Sequence, residues 1–469
     1  MPRSIAPLLA AIIAAALLWP APAAVAADSA TATGVTYVAE TGHNLGGAFK
    51  KFYEANGGLA IFGLPLTEMF VEDGLWVQYF ERARFELHHG GVVALTRVGA
   101  ELTNGRTEPA FQWLGEDPNN GRRYIAASGH TLGGAFAVFW DEHGGVGLFG
   151  YPISEEFTEV GPDGVPRTVQ YFERARFELA DAPDGSGHVV QLGLIGRELL
   201  ERRPAAQAMA APAPPLTLLG SATTGFNSSA ADRRINIERA AAMFDGVVVM
   251  PGEEHSFLAG GDFSEAAGFV EGYGIVGGRL ERVIGGGLCQ VSTTLFRAVA
   301  NAGLEVTRRI GHTYVVYFYE NILGFDATVF SPGVDFRWRN DMGAPVLVTS
   351  HTDQSAGTVT FEIWGTSEGR SVRYSGPHVR NVVKPGVAIW QYDPTLAPGQ
   401  IRQLVHGRAG MDVSLQRVVT GPDGSVIRQE TFNTRYRPWE DYFVYGPGVT
   451  PPAGVRVINA SRTAATTGR

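Results

Sequence analysis

The chemistry of this chain centres on one thiol, that of Cys289, the single cysteine in 469 residues. It follows the glycine run Gly285-Gly286-Gly287 after one leucine. The apolar residues beyond it recur at helical spacing, at Val291, Leu295, Ala298, Val299 and Ala302. This spacing predicts a helix that begins at or near Cys289 and ends at Gly303. Because the dipole and unpaired N–H groups of a helix start lower the pKa of a thiol, the position favours a nucleophilic thiolate.

The backbone beside the thiol could also stabilise a negatively charged oxygen. The first N–H groups of a helix have no partner within it, and glycines leave them accessible. We therefore expect an oxyanion site formed by Gly286, Gly287 and Gln290. The alternative is that Cys289 is a small buried hydrophobic residue in an ordinary glycine loop.

A nucleophilic thiolate works with a base or an imidazolium partner. His312 lies in RRIGHTYVVYFYE, a segment predicted to return as a strand beside the helix start, and Asp326 could orient its imidazole. This gives a Cys-His-Asp arrangement, although a purely structural His312 remains open. Five residues are candidates for substrate binding: Arg282, Arg308, Arg309, Ser292 and Thr293.

Elements before the thiol must hold this site in place. The segment DRRINIERAAAM, from Asp232 to Met243, predicts a helix capped by Asp232, with Ile235 and Ala242 facing inward. Val247 to Met250 then predicts a short buried strand. Together with the cysteine helix, these elements indicate an α+β domain.

The segment GGGLCQVSTTLFRAVANAGLEV, followed by GFDATVF and DFRWRNDMGAPVLV, resembles the VanW domain, a family first named from vancomycin-resistance gene clusters. The resemblance spans about Ser221–Gly365. The order of the cysteine helix, the histidine and the aspartate turn is typical of the family. Members usually have His-Ser-x-P where this chain has His312-Thr313-Tyr314-Val315, without the proline.

The resemblance implies a peptidoglycan L,D-transpeptidase, because VanW domains are described as a class of such enzymes with the motif cysteine as nucleophile. Cys289 would attack the L-configured centre of a stem tetrapeptide, D-alanine would leave, and a neighbouring side-chain amine would complete a 3–3 cross-link. His312 would transfer the protons. No metal or organic cofactor is expected, and the expected partners are peptidoglycan stem peptides and wall glycan.

The N-terminus predicts export. Arg3 precedes an apolar stretch from Leu8 to Trp19 that is short for a membrane span, and small residues precede a cleavage point at Ala27. We expect a signal peptide over 1–27, with an uncleaved anchor as the alternative, and a secreted, wall-associated protein without a membrane span. The net charge of −9 argues against nucleic-acid binding.

Two internal repeats follow. GHNLGGAF recurs as GHTLGGAF, and VQYFERARFEL begins at both Val77 and Val169. Each copy predicts one short helix and a small antiparallel sheet, with a Gly-Gly pair that ends the helix. The aromatic residues either form a small core or an exposed wall-binding surface. The repeats loosely resemble the LGFP-type repeats of exported cell-wall proteins.

The C-terminal part predicts two alternating strands joined by Pro422-Asp423-Gly424 and resembles a G5 domain, a β module proposed to bind glycans. The predicted fold is multidomain: an α+β VanW-like domain, two small α+β repeats before it and a small all-β G5-like module after it. The predicted segments are a signal peptide (1–27), repeat 1 (36–110), repeat 2 (123–201), an Ala/Pro linker (202–220), the VanW-like domain (221–370), the G5-like module (373–447) and a flexible tail (448–469). The alternative function is a non-catalytic wall- or glycan-binding scaffold.

Overall fold

The computed structural model describes residues 34–458 apart from 89–90, 162–163, 183–184, 186 and 277–278. The predicted signal peptide and the last part of the predicted tail therefore lie outside the described residues. The chain divides into two compact units. The smaller unit comprises Glu81–Ala83 and Arg97–Arg202, and the larger comprises Gly34–Phe80, Arg84–Thr96 and the chain from Arg203 onward. Within the described ranges, no helix is both long and apolar enough to span a bilayer.

The larger unit begins with most of the first repeat. Its elements are β1 (Val35–Val38), β2 (His43–Gly46), α1 (Gly47–Ala55), α2 (Gly58–Phe62), β3 (Phe70–Glu72), β4 (Leu75–Tyr79), β5 (Arg84–His88) and β6 (Val92–Leu95). Strands β3 to β6 form an antiparallel sheet in sequence order. The predicted glycine pair, Gly57 and Gly58, takes positive φ values of 96° and 51°, which glycine adopts without steric cost.

The smaller unit contains the second repeat and repeats the same order of elements. These are α3 (Val98–Leu102), β7 (Arg123–Ile125), β8 (His130–Leu132), α4 (Gly134–Glu142), α5 (Gly145–Phe149), β9 (Phe157–Val160), β10 (Pro166–Tyr171), β11 (Arg176–Asp181), β12 (His188–Leu192) and α6 (Ile195–Glu201). Strands β9 to β12 form its antiparallel sheet. In each repeat two helices precede the sheet, α1 and α2 in the first and α4 and α5 in the second, whereas the sequence predicted one.

The aromatic residues of both repeats are mostly internal. Phe80 and Phe85 of the VQYFERARFEL segment are fully buried, as are Phe172 and Phe177 in the second copy. Ring centroids of Phe80 and Phe85 lie 4.2 Å apart, and those of Phe172 and Phe177 lie 4.1 Å apart. Of the two interpretations of this segment, the small core is therefore the correct one for these rings.

The middle of the larger unit carries the cysteine helix. Its elements are α7 (Pro204–Gln207), β13 (Thr217–Gly225), α8 (Ala231–Met243), β14 (Val248–Val249), β15 (Glu254–Ser256), β16 (Glu271–Val276), β17 (Arg279–Ile284), α9 (Leu288–Asn301), β18 (Glu305–Arg308), β19 (Arg337–Arg339), β20 (Val346–Asp353) and β21 (Thr358–Gly365). One sheet has the order β13-β21-β20-β14, a second the order β15-β19-β18, and β16 pairs with β17 as a hairpin.

Helix α9 is the centre of the core. All five apolar residues predicted to face inward are buried, and Phe296 packs edge-on against Phe325, Phe336 and Phe432. The helix is buried on its polar side as well, since Ser292, Thr293 and Thr294 have no exposed surface. Because protein surrounds α9 on all sides, the residues at its start, including Cys289, are held in fixed positions.

Helix α8 differs from its prediction. Ile235 is 45% exposed and Ala242 is also exposed, whereas Asn236, Ile237, Ala240 and Ala241 face inward. The N-cap is Ala230, so Asp232 lies in the first turn instead of capping the helix. The apolar side chains of the helix are mostly alanines, and the inward polar side chain of Asn236 shifts the buried face by one position.

The C-terminal part consists of strands. They are β22 (Ser371–Val383), β23 (Ile389–Tyr392), β24 (Ile401–Val405), β25 (Gly410–Thr420), β26 (Val426–Tyr436), β27 (Tyr442–Tyr445) and β28 (Arg456–Ile458). They form two sheets, β22-β25-β26 and β24-β27-β23-β28. Leu415 and Phe432 join the same hydrophobic core as α9.

Two predicted boundary segments are more ordered than expected. Strand β28 lies in the predicted flexible tail and pairs in parallel with β23. The predicted linker contains α7, and its end belongs to β13, whose Thr217 pairs with Gly365. Asn44 donates to the Pro214 carbonyl and accepts from the Leu216 amide, which fixes this proline-rich stretch.

Candidate functional site

The glycine turn before α9 is shaped by close backbone approach. A Cβ on Gly286 would lie 2.4 Å from the carbonyl carbon of Gly272, so no larger residue fits there without displacement. Gly287 is the N-cap and has a φ of 122°, which favours glycine. Asn236 holds the turn by donating to the carbonyls of Val270 and Gly286 at 2.9 and 3.0 Å. The thiol therefore sits on a fixed helix start.

Cys289 is half-buried, with its Sγ 3.4 Å from Thr328 Oγ1 and 3.4 Å from the Val329 carbonyl oxygen. Burial alone would raise the pKa of the thiol. The hydrogen bond and positive charge of His312 outweigh that effect and lower the pKa from 9.0 to about 7. The thiol therefore ionises more readily near neutral pH than an ordinary cysteine.

His312 follows β18 in an irregular loop, where the sequence predicted a continued strand. Its Nδ1 lies 2.5 Å from Asp326 Oδ2, which leaves Nε2 for the thiol. Burial by itself would lower the pKa of the imidazole, but the hydrogen bond to Asp326 raises it from 6.5 to about 9. The geometry therefore favours an imidazolium beside a thiolate.

Asp326 is buried and accepts four hydrogen bonds. The His312 amide donates to Oδ2 at 2.7 Å, in addition to the imidazole; Arg309 Nη2 and Tyr436 Oη donate to Oδ1 at 3.2 and 2.7 Å. Burial would raise the pKa of this carboxyl, but His312 and Arg309 hold it well below its usual range. The carboxylate stays charged and fixed in orientation.

The structure thus brings together Cys289, His312 and Asp326, the three residues predicted to carry the chemistry. A thiolate, a protonated imidazole and an orienting carboxylate in this order can perform nucleophilic acyl transfer.

Two of the three predicted oxyanion donors, Gly286 and Gln290, already donate their amides within the protein. The Gly286 amide donates to Val283 O at 3.2 Å and the Gln290 amide to Gly287 O at 2.9 Å. The Gln290 side chain turns inward to Thr224 and Gly225. Within the described part of the chain, the amides of Gly287 and Cys289 donate to no acceptor. Of the three predicted donors, the Gly286 and Gln290 amides are therefore occupied, whereas Gly287, together with Cys289, remains a candidate oxyanion donor.

The five predicted substrate-binding residues fall into two groups. Ser292 and Thr293 are fully buried, and Thr293 Oγ1 exchanges hydrogen bonds with the backbone of Ala327. Arg309 is buried against Asp326, and its role in the structure is to hold that carboxylate. Only Arg282 and Arg308 are solvent-accessible.

The two accessible arginines also have partners. Arg282 pairs with Asp232 at 3.0 Å and with Glu271 at 3.3 Å. Arg308 donates to the Gly333 carbonyl at 2.6 Å. A substrate carboxylate would have to compete with these contacts.

Three contributors to the site were missed by sequence reasoning: Thr328, Asn236 and Tyr436. Thr328 follows the Gly-Phe-Asp-Ala turn directly and could have been found there. Tyr436 lies within residues 373–447, the part of the chain predicted to form the G5-like module. No local spacing signals its contact with Asp326.

The fold and the site define an α+β domain built around a buried helix that starts at a cysteine paired with a histidine and an aspartate. Residues 232–364 match the family described as "VanW like protein", which supports the predicted VanW resemblance of this part of the chain.

Two curated relatives match parts of the chain. Over 131 residues it is 42% identical to "Uncharacterized protein YoaR" of Bacillus subtilis (strain 168), a match that covers 28% of this chain and 43% of that protein. Over 154 residues it is 28% identical to "Vancomycin B-type resistance protein VanW" of Enterococcus faecalis (strain ATCC 700802 / V583), which covers 32% of this chain and 50% of that protein. The chain thus spans at most about half the length of the curated relatives it matches.

Solved structures also match, among them two G5 domains. "Crystal structure of HP0197-G5" is 24% identical and covers 16% of this chain and 95% of that chain, with a TM-score of 0.09. "IgA1 Protease G5 domain structure" is 17% identical and covers 18% and 100%, with a TM-score of 0.10. Scores this low support no conclusion about this chain, and the G5-like module stays a prediction.

Proposed function

We propose that this protein is an exported peptidoglycan L,D-transpeptidase that uses Cys289 as its nucleophile. The observation that carries the proposal is the hydrogen-bonded series from Cys289 through His312 to Asp326, which lowers the pKa of the thiol to about 7. The VanW-like domain supports the choice of reaction through the family resemblance. A wall-associated location follows from the substrate.

The first half-reaction forms a thioester. The Cys289 thiolate attacks the carbonyl carbon of the L-configured residue that precedes the terminal D-alanine. The amides of Gly287 and Cys289 can stabilise the resulting oxyanion. The bond to the D-alanine nitrogen then breaks as the His312 imidazolium gives that nitrogen its proton.

The second half-reaction forms the cross-link. A neutral side-chain amine of a neighbouring stem attacks the thioester, and the now neutral imidazole of His312 takes the proton from the amine. The thiolate leaves, which restores the thiolate–imidazolium pair. The product is a 3–3 cross-link plus free D-alanine. Asp326 remains ionised throughout and holds the imidazole in place.

The expected use of Arg282 and Arg308 is to contact a stem-peptide carboxylate beside the site. Arg282 would have to leave Asp232 and Glu271 on binding, and Arg308 would have to leave the Gly333 carbonyl. Arg309, Ser292 and Thr293 are left out of this role because they are buried.

The test uses the purified chain and tetrapeptide-stem muropeptides, with products identified by mass spectrometry. The parent protein should release D-alanine and form a 3–3 linked dimer, and Cys289→Ala should form none. Formation of tripeptide without dimer would replace the transferase proposal with a hydrolase. Identical products from parent and variant would favour the non-catalytic wall-binding scaffold.

A further inference from the structure

The C-terminal strands reach into the centre of the site through Tyr436, the last residue of β26. Its hydroxyl donates to Asp326 Oδ1 at 2.7 Å and accepts from the Gly324 amide at 3.0 Å. The side chain is buried. One hydroxyl therefore fixes both the carboxylate and the backbone turn that precedes it.

Residues near Tyr436 also contact the chain on both sides of His312. The Arg437 amide donates to the Thr313 carbonyl at 2.7 Å, next to His312. The ring centroids of Trp439 and Tyr314 lie 4.8 Å apart. Arg309 Nη1 donates to the Asn433 carbonyl at 3.1 Å. The end of β26 thus contacts the chain before and after the histidine.

We propose that Tyr436 is a positioning residue of the thiol site, so that the C-terminal sheet is a required part of the catalytic centre and not a separate binding module. This inference rests on the proposed use of Cys289 as nucleophile. Tyr436 touches neither the thiol nor the imidazole in any described contact. It acts through Asp326.

The charged and titratable groups that face Asp326 are His312, Arg309 and Tyr436. Burial raises the pKa of Tyr436 well above its usual range, so the hydroxyl remains a neutral donor at working pH. Removing it leaves Arg309 to keep the carboxylate ionised. The carboxylate then loses one of the two donors that fix Oδ1, and its alignment with the imidazole weakens.

Loss of the Tyr436 hydroxyl should also raise the pKa of the Cys289 thiol. A less well-aligned carboxylate stabilises the imidazolium less, and a weaker imidazolium stabilises the thiolate less. We therefore expect Tyr436→Phe to raise the pH midpoint of Cys289 alkylation by roughly half to one unit, which slows alkylation at pH 7 about two- to fivefold. Tyr392→Phe, in the other C-terminal sheet, is the matched control and should leave the midpoint unchanged.

The experiment measures alkylation of the full chain by iodoacetamide across pH, with thermal unfolding as the check on folding. A double-mutant cycle with Asp326→Asn shows whether Tyr436 acts by positioning the Asp326 carboxylate or by stabilising the surrounding fold in general. If it acts through Asp326, the effect of Tyr436→Phe should vanish in the Asp326→Asn background. An unchanged or lowered midpoint in Tyr436→Phe would overturn the proposal, as would an equal shift in both backgrounds. Because alkylation needs no peptide substrate, absence of transpeptidation would leave this result interpretable.

Discussion

Replacing Asp326 by Asn removes the charge that makes His312 a cation. The imidazole then keeps burial, which lowers its pKa, against only the hydrogen bond and charge of Cys289, and we expect it to be neutral near pH 7. Cys289 loses the positive neighbour that lowers its pKa to about 7 and returns to its ordinary value of 9.0 or above. At pH 7 the thiolate fraction falls from about one half to about one hundredth, so alkylation should slow about 50-fold.

The assay follows iodoacetamide labelling of the full chain by intact mass between pH 5 and 10. Since the chain has one cysteine, every adduct reports Cys289. Asp335→Asn is the matched control, because Asp335 is a buried carboxylate hydrogen-bonded to Ser256 and Arg337 instead of to the histidine. A folded Asp326→Asn variant with the parent's midpoint would refute the argument that this carboxylate sets the charge state of the pair.

Two further predictions follow from the same geometry. The rate of stem-peptide transfer should rise through about pH 7, where the thiol ionises, and fall through about pH 9, where the imidazolium that protonates the leaving amine is lost. The rate of alkylation should instead stay constant above the pH at which the thiol is fully ionised. Identical pH profiles for the two reactions would contradict these roles of Cys289 and His312. Gly286→Ala should lower the free energy of unfolding by about 1–3 kcal/mol in urea titration, because its methyl group would meet the Gly272 backbone, while Gly333→Ala, which meets nothing within 4 Å, should be neutral.

The position of the thiol could be predicted because its signals are local. Helical spacing of apolar residues after the glycines placed the start and end of α9. The same reasoning was wrong for the buried face of α8. Asn236 lies on that face and is held by hydrogen bonds with the backbone of Val270, and the spacing of apolar residues does not predict a buried polar side chain.

Long-range contacts set the limit of sequence reasoning. His312 and Asp326 could be nominated because they follow the cysteine helix closely in the sequence, but their approach to Cys289 depends on the loop between β18 and β19. Tyr436 reaches Asp326 only through the pairing of β26 with β25, which positions the end of the strand over the site. Of the three predicted oxyanion donors, Gly286 and Gln290 use their amides in hydrogen bonds inside the glycine turn, which the sequence did not indicate, whereas Gly287 remains a candidate.

If Cys289 is the nucleophile, it forms a thioester with a stem peptide, which intact mass spectrometry can detect when the chain is mixed with tetrapeptide stem in the absence of an acceptor. We expect an adduct on Cys289 equal to the stem minus its terminal D-alanine, sensitive to hydroxylamine and absent from Cys289→Ala. A chain that alkylates readily at pH 7 yet never acquires this adduct would contradict it.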